Sequence, residues 1–69
     1  MMRPHKIIHL AEIQSYTGLR SHQIRELIKY REFPYPLKLG EGQVGWLESD
    51  ISDWQANLIE RREWNSHWL

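Results

Sequence analysis

The sequence predicts a mainly helical fold with a small β-hairpin, arranged as a winged helix-turn-helix. Gly18 separates two short patterns of helical periodicity, and it can adopt the positive φ that a sharp turn between helices requires. Two apolar runs then flank a glycine-bearing turn near residue 42, which is typical of a β-hairpin and would form the wing. A last helical pattern with an apolar stripe follows from Leu47 onward. We therefore expect three helices and a two-stranded wing.

Length and composition predict one domain over residues 1–69, with its core at about 6–60 and a tail at 61–69. A chain this short buries only about 60% of the surface that is exposed when it is unfolded, so each large side chain contributes a large share of the hydrophobic core. Four tryptophans, three tyrosines and one phenylalanine supply much of the apolar area. Cysteine is absent, which excludes a disulfide framework and a thiolate zinc site.

The first helix is predicted over residues 10–17, after a short apolar run at 6–10 that we expect to be extended. Leu10 and Ile13 form its inward-facing pair because they lie three residues apart. Leu19 follows the glycine, and we expect it to fill the turn from beneath.

The second helix is predicted over residues 21–31 with Ser21 as its N-cap. It must end before Pro34, because a proline disfavours helical geometry at the preceding residue. Its apolar positions recur at i, i+3 and i+4 and form one face, namely Ile24, Leu27 and Ile28. At about 100° per residue the opposite face carries four polar side chains: His22, Arg25, Glu26 and Lys29.

Two prolines, Pro34 and Pro36, make residues 33–36 a stiff connector. Each proline lacks an N–H, so this stretch is an edge strand or a loop and not a central strand. The wing strands are predicted at 37–39 and 44–47, with the turn at 40–43.

The last helix is predicted to begin with Ser49 as its N-cap and with Asp50 and Asp53 in its first turn. Carboxylates there favour the positive end of the helix macrodipole. A stripe spaced by four, three and four residues is expected to face the core, formed by Leu47, Ile51, Trp54 and Leu58. Trp46 and Trp54 are expected to be core residues. Three states of Trp64 and Trp68 in the tail stay open: packing on the domain, self-association, or mobility.

The charge is distributed unevenly, although the formal net charge is zero. Residues 1–31 hold six basic and two acidic side chains, a balance of +4, whereas residues 32–69 hold three basic and seven acidic ones, a balance of −4. A net charge of zero argues against a nucleic-acid partner, but an asymmetry of this kind favours a surface that faces a polyanion. A helix-turn-helix with a basic outer face predicts that the second helix enters a DNA major groove. The alternative is an ordinary corner between two helices.

From about Leu10 to Leu58 the chain resembles the AlpA-like family of small phage and prophage DNA-binding proteins. That family shares its MerR-type winged helix-turn-helix head with several phage excisionases. The matching residues are Thr17-Gly18-Leu19, Ile24, Leu27-Ile28-Lys29, Phe33-Pro34, Pro36, Lys38-Leu39-Gly40 and Val44-Gly45-Trp46-Leu47-Glu48-Ser49, followed by Ile51 and Trp54. The resemblance implies regulation of transcription, or control of the excision of an integrated element. It also implies double-stranded DNA as the partner, with self-association on repeated sites and a phage integrase as further expectations.

The chain departs from the family pattern at the positions that contact DNA. Arg25-Glu26 stands where a Tyr-Arg pair is usual, and the arginine and serine that open the helix are exchanged, as Arg20-Ser21. Gly42 stands where the wing usually has an arginine, with Gln43 next. The target sequence therefore cannot be carried over from the family.

Nine residues are candidates for contact with double-stranded DNA. Arg25 suits a guanine edge, Gln23 suits an adenine, and Lys29 suits a phosphate. Glu26 suits the amino group of a cytosine, with an ion pair to a neighbouring cation as the alternative. The full set is Arg20, Ser21, His22, Gln23, Arg25, Glu26, Lys29, Lys38 and Gln43.

Other classes of function are not expected. His5 and His9 have the spacing of a helical metal pair, but Pro4 and the β-branched residues between them argue against a helix, so we predict no metal. No nucleophile–base pair or phosphate-binding glycine loop is recognisable, so neither an enzyme nor a cofactor is expected. No apolar run reaches membrane-spanning length, which favours the bacterial cytosol or nucleoid. The rival function is a protein–protein adaptor that uses the acidic, tryptophan-rich second half.

Overall fold

The computed structural model describes residues 3–68 and is a winged helix-turn-helix, as the sequence predicts. Two short helices lead into a β-hairpin, and a longer helix follows. In chain order the elements are β1 (Ile7–His9), α1 (Leu10–Thr17), α2 (Ser21–Lys29), β2 (Leu37–Gly40), β3 (Gln43–Leu47), α3 (Glu48–Arg61) and a 3₁₀ turn (Ser66–Trp68).

The sheet has three strands in the described chain, where the sequence predicted a two-stranded wing. The order is β1-β3-β2, and both neighbouring pairs are antiparallel. The apolar run before α1 joins the sheet because Ile8 lies directly opposite Trp46, and both side chains then reach the core. Gln43 belongs to β3 and not to the turn, which is shorter than predicted and contains Gly42 at φ 69°.

Gly45 lets the side chains of both outer strands close over β3. A Cβ at this position would lie 2.6 Å from Ile7 Cγ2 and 2.9 Å from Leu39 Cδ1. These distances are shorter than van der Waals contact, so the absence of a side chain is needed for this packing.

The core takes one or more residues from nearly every element. The buried hydrophobic side chains are Ile8, Ile13, Ile24, Phe33, Trp46 and Ile51. Phe33 lies in the connector, which forms a loop, and its ring meets Trp46 edge-on at 5.8 Å between centroids and Trp54 at 4.6 Å. The Trp46 indole N–H donates to the Pro34 carbonyl at 2.8 Å, so the one polar atom of this buried side chain is satisfied.

The turn between α1 and α2 forms as the sequence predicts. Gly18 adopts φ 72° and its N–H donates to the Gln14 carbonyl at 2.8 Å, which ends α1. The Thr17 hydroxyl accepts a hydrogen bond from the Leu19 N–H at 3.1 Å. Leu19 is half-buried and packs against the core, which confirms its predicted place beneath the turn.

The N-terminus of α2 differs from the prediction by one residue. Arg20, not Ser21, is the N-cap, with extended φ and ψ of −85° and 160°, and Ser21 is the first helical residue. An arginine side chain has no acceptor for an N-terminal amide. The Gln23 side chain compensates in part, because its amide oxygen accepts from the Arg20 N–H at 2.8 Å.

The C-terminus of α2 lies two residues before the predicted end at Arg31. Arg31 adopts a positive φ of 59°. Its N–H donates to the Ile28 carbonyl at 3.0 Å, and the Glu32 N–H donates to the Leu27 carbonyl at 2.7 Å. This pair of backbone hydrogen bonds is the Schellman motif, which closes a helix before the connector can begin.

The prediction that Ser49 is the N-cap of α3 was wrong. Leu47 is the N-cap, Ser49 is already inside the helix, and Asp53 lies beyond the first turn. The contact that begins the helix comes from far away in the sequence: the Glu48 N–H donates to the Lys6 carbonyl at 2.9 Å. The Glu48 carboxylate lies 3.3 Å from the Lys6 ammonium, and this hydrogen-bonded ion pair raises the pKa of Lys6.

The apolar stripe of α3 faces the core only in the first half of the helix. Ile51 is buried and Trp54 is half-buried, but Leu58 is 45% exposed. A helix of 14 residues is about 21 Å long. Its second half extends past the small core, so Leu58, the last member of the predicted stripe, lies on the wall of an open groove instead of in the core.

Candidate nucleic-acid interface

The outer face of α2 is set by the three apolar residues on its inner face. Ile24 is buried, and Leu27 and Ile28 are half-buried and pack against the core. At about 100° per residue, His22 and Glu26 lie within roughly 30° of the direction opposite to that inner face. The packing of α2 therefore directs these two side chains straight away from the domain.

The remaining polar residues of α2 lie beside this central line. By the same helical geometry Lys29 lies roughly 30° from it, whereas Arg25 and Gln23 lie roughly 70–90° away on opposite flanks. All are exposed. Four of the predicted residues line one open depression of about 310 Å³ along the helix: His22, Arg25, Glu26 and Lys29. We call these four side chains the outer face of α2.

The charges on the outer face of α2 are not paired with one another. Within residues 3–68 no cation lies within 4.0 Å of the Glu26 carboxylate, so the ion pair considered from the sequence is not formed. The Lys29 ammonium instead lies 5.8 Å from the centroid of the Tyr30 ring, a cation–π distance. The face therefore offers two free cations and one free carboxylate to a ligand.

The polar residues at the start of α2 differ in their exposure and in the atoms they leave free for a ligand. Arg20 is exposed and leaves its guanidinium free of ion pairs in the described chain. Ser21 is half-buried. The Gln23 amide oxygen is engaged by the Arg20 N–H, so only its NH₂ group remains available as a donor.

The wing contributes the other two predicted residues, as a separate group. Lys38 and Gln43 are both exposed on neighbouring strands. The Lys38 ammonium lies 3.5 Å from the Glu41 carboxylate in the turn. Lys38 on the wing therefore has an exposed carboxylate as its partner, whereas the cations of α2 have no ion pair within residues 3–68.

Sequence reasoning missed Tyr30 as a neighbour of this site. Its ring is exposed at the end of α2 and partners Lys29. Adjacent residues on a helix do not normally face each other, so no spacing rule in the sequence points to this contact. It arises because the helix ends at Lys29.

A second surface feature is an apolar groove on the other side of the helix pair. It is open, has a volume of about 860 Å³, and is lined mainly by Tyr16, Leu19, Leu27, Trp54, Leu58 and Ile59. Beyond α3 the tail exposes two tryptophans, Trp64 at 74% and Trp68 at 63%. Neither ring packs on the core cluster of the domain.

No group of three or more potential metal-ligating side chains lies together within residues 3–68. Among the helices of the same residues, none is both long enough and apolar enough to cross a membrane.

Comparison with known proteins places the chain among phage regulators. The family model of the prophage CP4-57 regulatory protein (AlpA) matches residues 6–61. The chain is 34% identical over 58 residues to the uncharacterized protein ORF88 of Enterobacteria phage P4. That alignment covers 84% of this chain and 66% of the phage protein, so the chain spans slightly less than two thirds of its curated relative. No solved structure matches.

Proposed function

This chain belongs to the AlpA family of phage regulatory DNA-binding proteins, and we propose that it regulates transcription by binding specific sequences in duplex DNA through α2. The observation that carries the proposal is the free outer face of α2, which the core packing directs away from the domain. A helix with one buried side and exposed polar side chains on the other fits a major groove. The whole chain, residues 1–69, acts in this proposal as one DNA-binding domain.

The proposed contacts divide into base edges and backbone. Arg25 and Gln23 on the two flanks of α2 suit base edges, and Lys29 at the end of the helix suits a phosphate. Arg20, Ser21 and His22 lie in the first turn, where a positive helix end favours phosphate oxygens. On the wing, Lys38 and Gln43 suit the backbone that flanks the groove, after Lys38 exchanges Glu41 for a phosphate.

A substitution on the outer face of α2 tests the proposal directly. Arg25→Ala is expected to weaken binding to the preferred duplex by about 1–3 kcal/mol and to relax the base preference at one position. Arg62→Ala is the matched control, because it removes the same charge at the end of α3. The measurement is a gel-shift or anisotropy titration on a duplex selected from a random library. Equal losses for the two variants would contradict a role of Arg25 in base recognition.

The role in excision is a finer proposal on the same interface. A single domain makes few contacts, so copies on adjacent repeated sites would raise the affinity through effective concentration. Such an array beside an attachment site would direct a phage integrase. Excision frequency of the integrated element, measured with and without this coding sequence, tests this role. An unchanged frequency would leave regulation of transcription as the function.

The second candidate function is a protein–protein adaptor. The specific observations in its favour are the exposure of Trp64 and Trp68 in the tail and, separately, the open apolar groove lined by Tyr16, Leu27 and Leu58. Binding to duplex DNA that depends on salt separates the two functions, since an adaptor has no reason to lose affinity for DNA as salt rises. Absence of binding to any duplex at low salt would favour the adaptor.

A further inference from the structure

One of the two side chains that point most directly away from the buried side of α2 carries a carboxylate. Glu26 and His22 lie closest to the direction opposite the buried Ile24, and Arg25 lies on the flank. A helix that enters a major groove brings its outermost side chains nearest to the bases. On the proposed interface, Glu26 therefore reaches the base edges before Arg25 does.

The Glu26 carboxylate forms no ion pair with any cation of residues 3–68. The ion pairs of residues 3–68 join Lys6 to Glu48 and Lys38 to Glu41, both away from this face. Lys29 follows Glu26 by three residues on the helix, and its ammonium lies 5.8 Å from the centroid of the Tyr30 ring. Glu26 would thus enter the groove as a free carboxylate.

A free carboxylate in a DNA groove is repelled unless it finds a hydrogen-bond donor. Phosphates within a Debye length of about 10 Å at 0.1 M salt repel it, and guanine and thymine present acceptors at the edge of the major groove. The donors available there are the amino groups of cytosine and adenine. The adenine amino group lies beside the N7 acceptor, which repels a carboxylate, so cytosine is the better partner.

We propose that Glu26 determines specificity, by accepting a hydrogen bond from the amino group of a cytosine and by weakening binding to every sequence that lacks this base. The inference rests on the proposed function, because it requires α2 to lie in the major groove. It assigns two effects to one side chain: a required cytosine in the target, and a lower affinity for random DNA.

The experiment selects bound sequences from a randomised duplex library with three proteins: the wild type, Glu26→Ala and Glu60→Ala. Glu60 is an exposed helical residue on α3, so its substitution removes the same charge away from the interface. The wild type and Glu60→Ala are expected to select a motif with a cytosine at one fixed position. Glu26→Ala is expected to select the same motif with that position degenerate.

Titrations on defined duplexes give the magnitudes. The wild type should bind a duplex with cytosine at that position at least about fivefold more tightly than one with thymine, and Glu26→Ala should discriminate less than about twofold. On a random duplex, Glu26→Ala should bind about three- to tenfold more tightly than the wild type, because one repulsive charge is gone. Glu60→Ala should stay within about twofold of the wild type.

The outcomes separate this inference from the proposed function. A motif that Glu26→Ala retains unchanged, cytosine included, would overturn the role of Glu26 and leave DNA binding through α2 intact. The assignment to cytosine would be overturned if the wild type selected an adenine at one position of its motif and only Glu26→Ala lost that preference. A wild-type protein that selects no sequence would overturn both proposals.

Discussion

Among residues 3–68, Arg31 is the one residue other than glycine that has a positive φ. It closes α2 with a φ of 59°, a conformation that costs a residue with a Cβ about 1 kcal/mol relative to glycine. Both hydrogen bonds of the Schellman motif depend on this turn, and the turn sends the chain into the connector that anchors Phe33. The strain is therefore tolerated because the motif and the core on either side hold the residue in place.

Arg31→Gly is expected to stabilise the domain by roughly 0.5–1 kcal/mol, because glycine adopts a positive φ without strain. The gain is reduced by the extra freedom of glycine in the unfolded chain. The measurement is the free energy of unfolding from urea denaturation. Arg62→Gly at the end of α3, where φ is −65°, is the control and should not stabilise. A loss of stability in Arg31→Gly would mean that the arginine side chain contributes more than its backbone costs.

At the scale of the element, α3 holds the end of α2 in place through one side chain. The Trp54 indole donates to the Glu32 carbonyl at 2.8 Å, and its ring lies 4.6 Å from that of Phe33. Glu32 is also the residue that completes the Schellman motif of α2. Trp54 thus ties the helix proposed to contact DNA to the longest helix of the fold.

Trp54→Ala is expected to cost about 3 kcal/mol, since a half-buried indole and its hydrogen bond are both lost. Trp54→Phe keeps most of the ring and should cost about 1 kcal/mol, close to the value of one hydrogen bond. Trp64→Ala is the matched control on an exposed indole and should change stability by less than about 0.5 kcal/mol. Unfolding is followed by far-UV circular dichroism. If Trp64→Ala were as damaging as Trp54→Ala, the tail would be part of the folded core.

At the scale of the whole molecule, the net charge is zero, but the positive charges are concentrated in residues 1–31 and the negative charges in residues 32–69. The outer face of α2 and Arg20 hold three cations without ion pairs in the described chain, and Lys38 on the wing is paired with Glu41. Of the acidic side chains of α3, Glu48 is paired with Lys6, and Asp50 and Asp53 line an open depression with Arg31 beyond the end of α2. Salt screens charges beyond about 10 Å at 0.1 M, so only the acidic groups nearest to the cations of α2 reduce their attraction to phosphates.

The salt dependence of DNA binding should report how many of these cations meet phosphates. Three to four neutralised phosphates give a slope of log K against log salt between about −3 and −4 for each copy bound. Lys38→Ala should make the slope shallower by no more than about one, because Glu41 already offsets part of that charge. The measurement is a titration at several salt concentrations on one duplex. A slope near zero would contradict a phosphate-contacting interface.

The helix-turn-helix, the wing and the core stripe follow from patterns that are local in the sequence. Gly18 marks the turn by its own backbone freedom, and the spacing of Ile24, Leu27 and Ile28 shows which side of α2 is buried. Because the inner face is known, the outer face of α2 follows from the helical period alone. The candidate residues on that helix could therefore be named without coordinates.

Tertiary contacts decided what local patterns could not. Lys6 caps α3 across the sheet, so Leu47 takes the N-cap position that a local rule assigns to Ser49. The short run at Ile7–His9 became a strand only because β3 was beside it, and an isolated run of that length has no strand partner to satisfy its backbone groups. The lack of an ion pair at Glu26 likewise depends on where Lys29 lies in space. The sequence by itself determined which elements form and which sides they bury, because both depend on neighbours within a few residues. The tertiary structure decided the helix caps, the strand partners and the ion pairs, because these depend on residues far along the chain.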